Sequence, residues 1–158
     1  MSDDVLSVVP ADPRWQPGAD AAERATAVVG SLVEDPGAEP GARPVAEIEV
    51  TWHDAIAIVD CGENLQRITC PRCGASIATE WWADLVAAAA DGLPDLDVHL
   101  PCCGARTTLD TLGFDQPCAF ARFRIAVWNP GRDRFTPDEL AVVGEALGHP
   151  VRQVLAHR

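Results

Sequence analysis

Two glycine-closed cysteine turns constrain this chain more than any other feature: Cys70-Pro71-Arg72-Cys73-Gly74 and, further on, Pro101-Cys102-Cys103-Gly104. Two thiolates spaced C-x-x-C on a tight turn can face one ion. The glycine that follows permits the backbone conformation that aims amide N–H groups at the sulfurs. Adjacent thiols such as Cys102 and Cys103 are a less usual ligand pair, because consecutive side chains diverge. Pro101 and Gly104 on either side favour a kinked turn that brings both sulfurs to the same tetrahedron. The pattern predicts a zinc ion held by Cys70, Cys73, Cys102 and Cys103, with His99, three positions before Cys102, as the alternative to one of the adjacent thiolates. Four protein ligands fill a zinc tetrahedron and leave no open position, so the expected site is structural rather than catalytic.

Other roles for these cysteines fit less well. The acidic start Met1-Ser2-Asp3-Asp4 has neither the basic nor the apolar part of a signal peptide, so a cytoplasmic location is expected and disulfides are not. A redox C-x-x-C normally opens a helix, whereas this one runs into Gly74 and is matched by a second pair. Cys61 and Cys118 have no partner at ligand spacing and read as buried core residues.

Around the cysteines, hydrophobic periodicity predicts an α+β fold in one domain over residues 1–158: helices on a mainly antiparallel sheet, with a zinc-binding unit inserted at 68–106 and a Pro/Gly-rich loop at 35–44. Val5–Val9 reads as an opening strand, followed by a helix capped by Asp20 with Ala25, Val28, Val29, Leu32 and Val33 on its apolar face. Ala46, Ile48, Val50 and Trp52 alternate with Glu47, Glu49 and Thr51, which predicts a half-buried strand. His53-Asp54 would then turn the chain into a hairpin with Ala55–Val59. Trp82, Leu85, Val86 and Ala89 form a helical stripe stopped by Gly92 and Pro94, and Leu96, Val98 and Leu100 alternate as a strand leading into the second cysteine turn. Phe123, Ile125 and Val127 mark another strand, Thr136-Pro137-Asp138-Glu139 is a strong helix start, and Val151–Leu155 closes the chain as a last strand. No internal repeat is evident at this level.

The chemistry that composition excludes is as informative. All twelve basic residues are Arg against twenty-four acidic ones, a formal charge of -12. Without Lys there is no Walker A phosphate loop and no Schiff-base chemistry. Strong acidity opposes nucleic-acid binding, and Arg122, Arg124, Arg132 and Arg134 read as a solvated strand face before an anion site. The longest apolar run, Leu85–Ala90, is too short to cross a bilayer. No nucleophile, base and orienting group assemble in the sequence: His53 in its expected turn reads as solvated, His149 as a helix-end cap, and His157 as lightly packed. The expectation is a non-catalytic, zinc-stabilised protein-protein interaction module of the adaptor or immunity type, with an acidic surface for a protein partner and Trp81 or Trp15 as its anchor. The alternative is an enzyme with an unidentified cleft, such as thiol chemistry pairing Cys61 with His53.

The chain resembles an uncharacterised family of bacterial proteins carrying a zinc-ribbon-like insert. The stretches that carry the resemblance are Cys61-Gly62-Glu63-Asn64-Leu65, Cys70-Pro71-Arg72-Cys73-Gly74 with Trp81-Trp82, Leu100-Pro101-Cys102-Cys103-Gly104, Phe120-Ala121-Arg122-Phe123, Asn129-Pro130 and the end from Leu147-Gly148 to His157. The resemblance implies a metal-binding insert and no function. Its pattern tends to have Gly where this chain has Cys118, which leaves Cys118 outside the metal site.

Overall fold

The computed structural model describes residues 3–33, 47–59, 65–115 and 118–157. In chain order its elements are strand β1 (Asp4–Pro10), helix α1 (Ala19–Val33), strands β2 (Glu47–Val59), β3 (Ile68–Thr69) and β4 (Ser76–Ile77), helix α2 (Thr79–Ala88), strands β5 (Asp97–His99), β6 (Arg106–Thr108), β7 (Gly113–Phe114) and β8 (Ala119–Trp128), helix α3 (Pro137–Leu147) and strand β9 (Val151–His157). The architecture is α+β, as the periodicity predicts.

The main sheet has the order β2-β8-β1-β9, with every neighbouring pair antiparallel. Alternation along the strands sends Leu6, Val8, Phe123, Ile125 and Val127 to one face, where they pack with Ala22, Ala25 and Val29 of α1 and Val143 and Leu147 of α3. Residues between β2 and β8 form two small sheets, β4-β3-β7 and β5-β6, with α2 between them in sequence. A second core joins this insert to the rest: Ile68, Cys70, Ile77, Trp82, Leu96 and Leu100 pack with Ile56 and Val59 of β2 and with Ala119, Phe120 and Ala121 of β8. The long ribbon β2–β8 therefore serves both cores, one half covered by helices and the other by the cysteine unit.

Three local expectations change. No hairpin forms at His53-Asp54; β2 runs through, and its pairing jumps from Trp52 opposite Phe123 to Ala57 opposite Ala121. The extra residues bulge out and are tied down from outside the sheet, as Ile56 and Leu93 exchange backbone hydrogen bonds of 3.2 and 2.7 Å. Gln16 Nε2 donates to the carbonyls of both His53 and Arg122 at 2.9 Å, closing the gap that the bulge opens. Gly92 turns beneath the bulge at φ 95°, so near that a Cβ there would sit 2.7 Å from that of Ala55. Asp20 lies inside the first turn of α1 instead of capping it, since Ala22 N–H already donates to the Gly18 carbonyl. Trp52, expected on the buried stripe, is 46% exposed. It stands on the edge strand β2, where the indole N–H donates to the Pro17 carbonyl at 3.2 Å and the ring meets Phe123 edge-on. Ala46, Cys61 to Asn64 and the loop 35–44 lie outside the described residues.

The start of α3 follows the sequence closely. Thr136 Oγ1 accepts from Glu139 N–H at 3.2 Å while the Glu139 carboxylate accepts from Thr136 N–H at 2.8 Å, and Pro137 opens the helix. Arg132 clamps the same carboxylate with both Nη groups and also donates to the Leu32 carbonyl, linking the ends of α1 and α3. Arg132, with the Thr136 N–H next, holds the Glu139 carboxyl below the usual range. Thr136→Ala is expected to cost about 1 kcal/mol in urea unfolding, the usual worth of a lost cap. An unchanged midpoint would mean that the Arg132 clamp alone holds this end.

Candidate metal centre

Each cysteine turn is a short hairpin whose backbone conformation is set by one glycine. In the first, Cys70 N–H donates to the Ala75 carbonyl at 2.9 Å, Gly74 N–H returns to the Cys70 carbonyl at 3.1 Å, and Gly74 adopts φ 76°. In the second, Leu100 N–H donates to Ala105 at 2.9 Å, Gly104 N–H returns to Leu100 at 2.8 Å, and Gly104 adopts φ 71°. The flanking strands match as well: Ile68 pairs with Ile77 in one hairpin and Val98 with Thr107, 30 positions on, in the other. The insert thus contains a repeat that inspection of the sequence missed. Its signal is Cys70-Pro71-Arg72-Cys73-Gly74-Ala75 against Leu100-Pro101-Cys102-Cys103-Gly104-Ala105, where Pro, Cys, Gly and Ala coincide.

The repeat explains the unusual adjacent pair. The first position of each turn faces the core, with Cys70 1% and Leu100 2% exposed. The fourth position carries Cys73 in one and Cys103 in the other. The last thiol, Cys102, occupies the third position, which Arg72 holds in the first turn.

The four sulfurs nevertheless converge, all lying within 4.8 Å of one another. Cys73 and Cys102 Sγ are 3.6 Å apart, Cys70 and Cys103 3.8 Å, and Cys102 and Cys103 3.9 Å. A tetrahedral thiolate site with metal–sulfur bonds of about 2.3 Å requires sulfur separations of about 3.8 Å. The donor set and its spacing therefore fit a metal ion, and His99 is not part of the cluster. None of the four is disulfide-bonded, and neither is Cys118, which is buried in the core as expected.

Electrostatics within the cluster are uneven. The backbone N–H groups of Cys73 and Arg72 each donate to Cys70 Sγ at 3.3 Å. The bond from Cys73 does most to bring the Cys70 thiol down to about 6, against the opposing effect of burial. Cys102 is pushed up to about 12, first by desolvation and then by the neighbouring thiols that hydrogen-bond to it. Packing four thiols this closely makes a second negative charge costly unless a cation shares the site, so metal uptake would release protons.

The histidines lie elsewhere. His53 sits in the β2 bulge, half-buried instead of in a solvated turn; its Nε2 is buried without a hydrogen-bond partner among the described residues, and burial, then Arg124, lowers its pKa. His149 stacks on Trp15 with centroids 4.5 Å apart, and its Nδ1 lies 2.8 Å from the Pro150 carbonyl. His157 Nδ1 lies 2.7 Å from Asp4 Oδ1. Three of the arginines after Phe120 are engaged by the fold: Arg122 Nε donates to the His53 carbonyl, Arg124 Nε to Ser7 Oγ, and Arg132 to Glu139. Two grooves share His53. One, of 440 Å³, is lined among others by Trp52, Asp54, Val86 and Asp91; the other, of 360 Å³, by Glu49, Thr51, Arg124 and Trp128. Among the described residues no helix is long and apolar enough to cross a membrane.

No protein-family model matches the chain, and no curated protein or solved structure matches it.

Proposed function

We propose that this chain is a non-catalytic, zinc-stabilised protein-binding module of the adaptor or immunity type. The observation that carries the metal half is the sulfur geometry, four thiols at separations a tetrahedral zinc thiolate requires. Zinc suits an all-thiolate tetrahedral set, and four sulfurs saturate it, which makes its role the joining of two hairpins. The family resemblance carried by the two cysteine turns points the same way.

The binding half rests on surface chemistry. Trp52 is the exposed tryptophan, whereas Trp81 packs against the insert core and Trp15 against the helical core, so the expected anchors give way to this one. Trp52 lines the 440 Å³ groove together with Asp54 and Asp91. An aromatic anchor beside two carboxylates, on a chain of charge -12, suits a basic protein segment. Purified protein is expected to contain one zinc per chain by elemental analysis, and immobilised protein to retain a basic partner from its own cell at physiological salt, with Trp52→Ala weakening capture by tenfold or more. A folded protein without metal would overturn the first half, and capture indifferent to Trp52→Ala the second.

A further inference from the structure

On the face of the main sheet turned away from α1 and α3, the strand register holds two opposite charges apart across one cavity. Ala126 of β8 lies opposite Glu49 of β2 on one side and Ser7 of β1 on the other, so the three share that face. An alanine between longer neighbours leaves a low floor. The 360 Å³ cavity over it is closed by Trp128 at one end and by Thr51 and His53 at the other. Arg124, also in the lining, donates from Nε to Ser7 Oγ at 2.9 Å, and Ser7 is 1% exposed. Glu49 and Arg124 are diagonal neighbours on paired strands, about 7–8 Å apart at the backbone and within reach of side chains this long. No ion pair joins them, because the bond to Ser7 draws the guanidinium towards β1 and away from Glu49. Exposed Glu49 forms no ion pair with any other described residue either. His53 adds no charge at neutral pH, since burial, then Arg124, lowers its pKa. Its Nε2 is buried without a hydrogen-bond partner among the described residues, and the bulge that carries it is a device that re-aims side chains beside functional sites.

We propose that this cavity binds a small zwitterion of the α-amino acid class, with its ammonium group on Glu49, its carboxylate on Arg124 and its side chain along Trp128. The charge pattern selects the class. A simple anion placed over Ala126 would meet the Glu49 carboxylate, and a simple cation would meet the guanidinium. A molecule carrying both charges on neighbouring atoms forms a charge-assisted hydrogen bond with each. The volume lies at the small end of the about 300–1,000 Å³ of ligand pockets, which suits a single amino acid better than a peptide. The indole of Trp128 offers an apolar wall, so an apolar or aromatic side chain fits there. This site adds a small-molecule ligand to the protein-binding reading and depends on neither Trp52 nor the thiols.

The test screens each of the standard L-amino acids against the full-length protein by saturation-transfer NMR. Calorimetry then compares the strongest binder with its analogues lacking the amino or the carboxyl group. An amino acid with an apolar or aromatic side chain is expected to bind, and each truncated analogue to bind about tenfold more weakly, since each leaves one charge of the site without its counterpart. Glu49→Gln, at an exposed position, is expected to fold as the wild type does. It should weaken the amino acid by about tenfold and leave the analogue without the amino group as tight or tighter. Absence of binding by every amino acid would overturn the inference, as would equal affinity for the analogue without the amino group, which would define an anion site instead. Affinity indifferent to Glu49→Gln would overturn it as well.

Discussion

Cys70→Ser is expected to abolish metal binding and to unfold the insert while the helical half of the sheet stays folded. Cys70 is at once a member of the thiol cluster and a core residue: its sulfur lies with the other three, and its side chain packs with Ile68, Ile77, Trp82 and Leu100. Backbone pairing within the insert hairpins is limited, since β3–β4 and β5–β6 contain only two and three paired positions. Pairs this short are not stable alone. Structural zinc contributes an apparent ~10–16 kcal/mol to the small units it organises, more than such hairpins can replace. The other core, from Leu6 and Phe123 to Val143 and Leu147, contains none of the clustered thiols and closes around α1 and α3. Hydrogen exchange is therefore expected to show protection lost across 65–115 and kept in β1, α3 and β9. Stripping the wild type with a strong chelator should reproduce the pattern reversibly. Uniform loss of protection would show that the two cores fold as one unit, and unchanged protection with no metal bound would remove the ion from the folding argument altogether.

Much of the layout is legible in the sequence because the governing signals are local. The Thr136 capping box, Gly148 in the left-handed conformation at the end of α3 and the Phe123-Ile125-Val127 alternation each depend on a few neighbouring residues, and each appears where those residues put it. The four clustered cysteines are legible for the same reason, since glycine-closed turns announce themselves. What escapes is tertiary. His53-Asp54 looks like a turn, yet Leu93 and Gln16 arrive from distant parts of the chain to hold those residues as a bulge within one strand. Trp52 has the right parity for burial but stands on an edge strand where the helical layer ends. The repeat within the insert is hidden because its most conspicuous symbol, the first cysteine of C-x-x-C, becomes Leu100 in the second copy; both side chains satisfy the same core position, and only the backbone hydrogen bonds make the match visible.

The second large effect is expected at Trp82, which joins the metal unit to the sheet. Its ring, 5% exposed, meets Phe114 edge-on at 5.0 Å and Phe120 edge-on at 6.2 Å. Phe114 belongs to β7, which pairs with β3 just before the first cysteine turn, and Phe120 belongs to β8 of the main sheet. Helix α2 is short and has no side-chain cap at its start, so its position depends on this buried face rather than on its own propensity. Truncation to alanine would remove the ring from between two aromatic partners that cannot easily close the gap, since each is fixed in a different sheet. Such losses run to about 3–5 kcal/mol, and for a domain of this size that lowers the melting temperature by roughly 10 °C. Zinc content is expected to stay at one per chain, because all four thiols sit on turns whose hydrogen bonds do not involve α2. Trp82→Phe should recover part of the loss by keeping the contact with Phe114. Thermal unfolding with parallel metal analysis decides the matter: a shift of only a degree or two would mean that the insert does not lean on this ring. Loss of zinc from an otherwise folded Trp82→Ala would mean that α2, and not the paired hairpins, sets the geometry of the sulfurs.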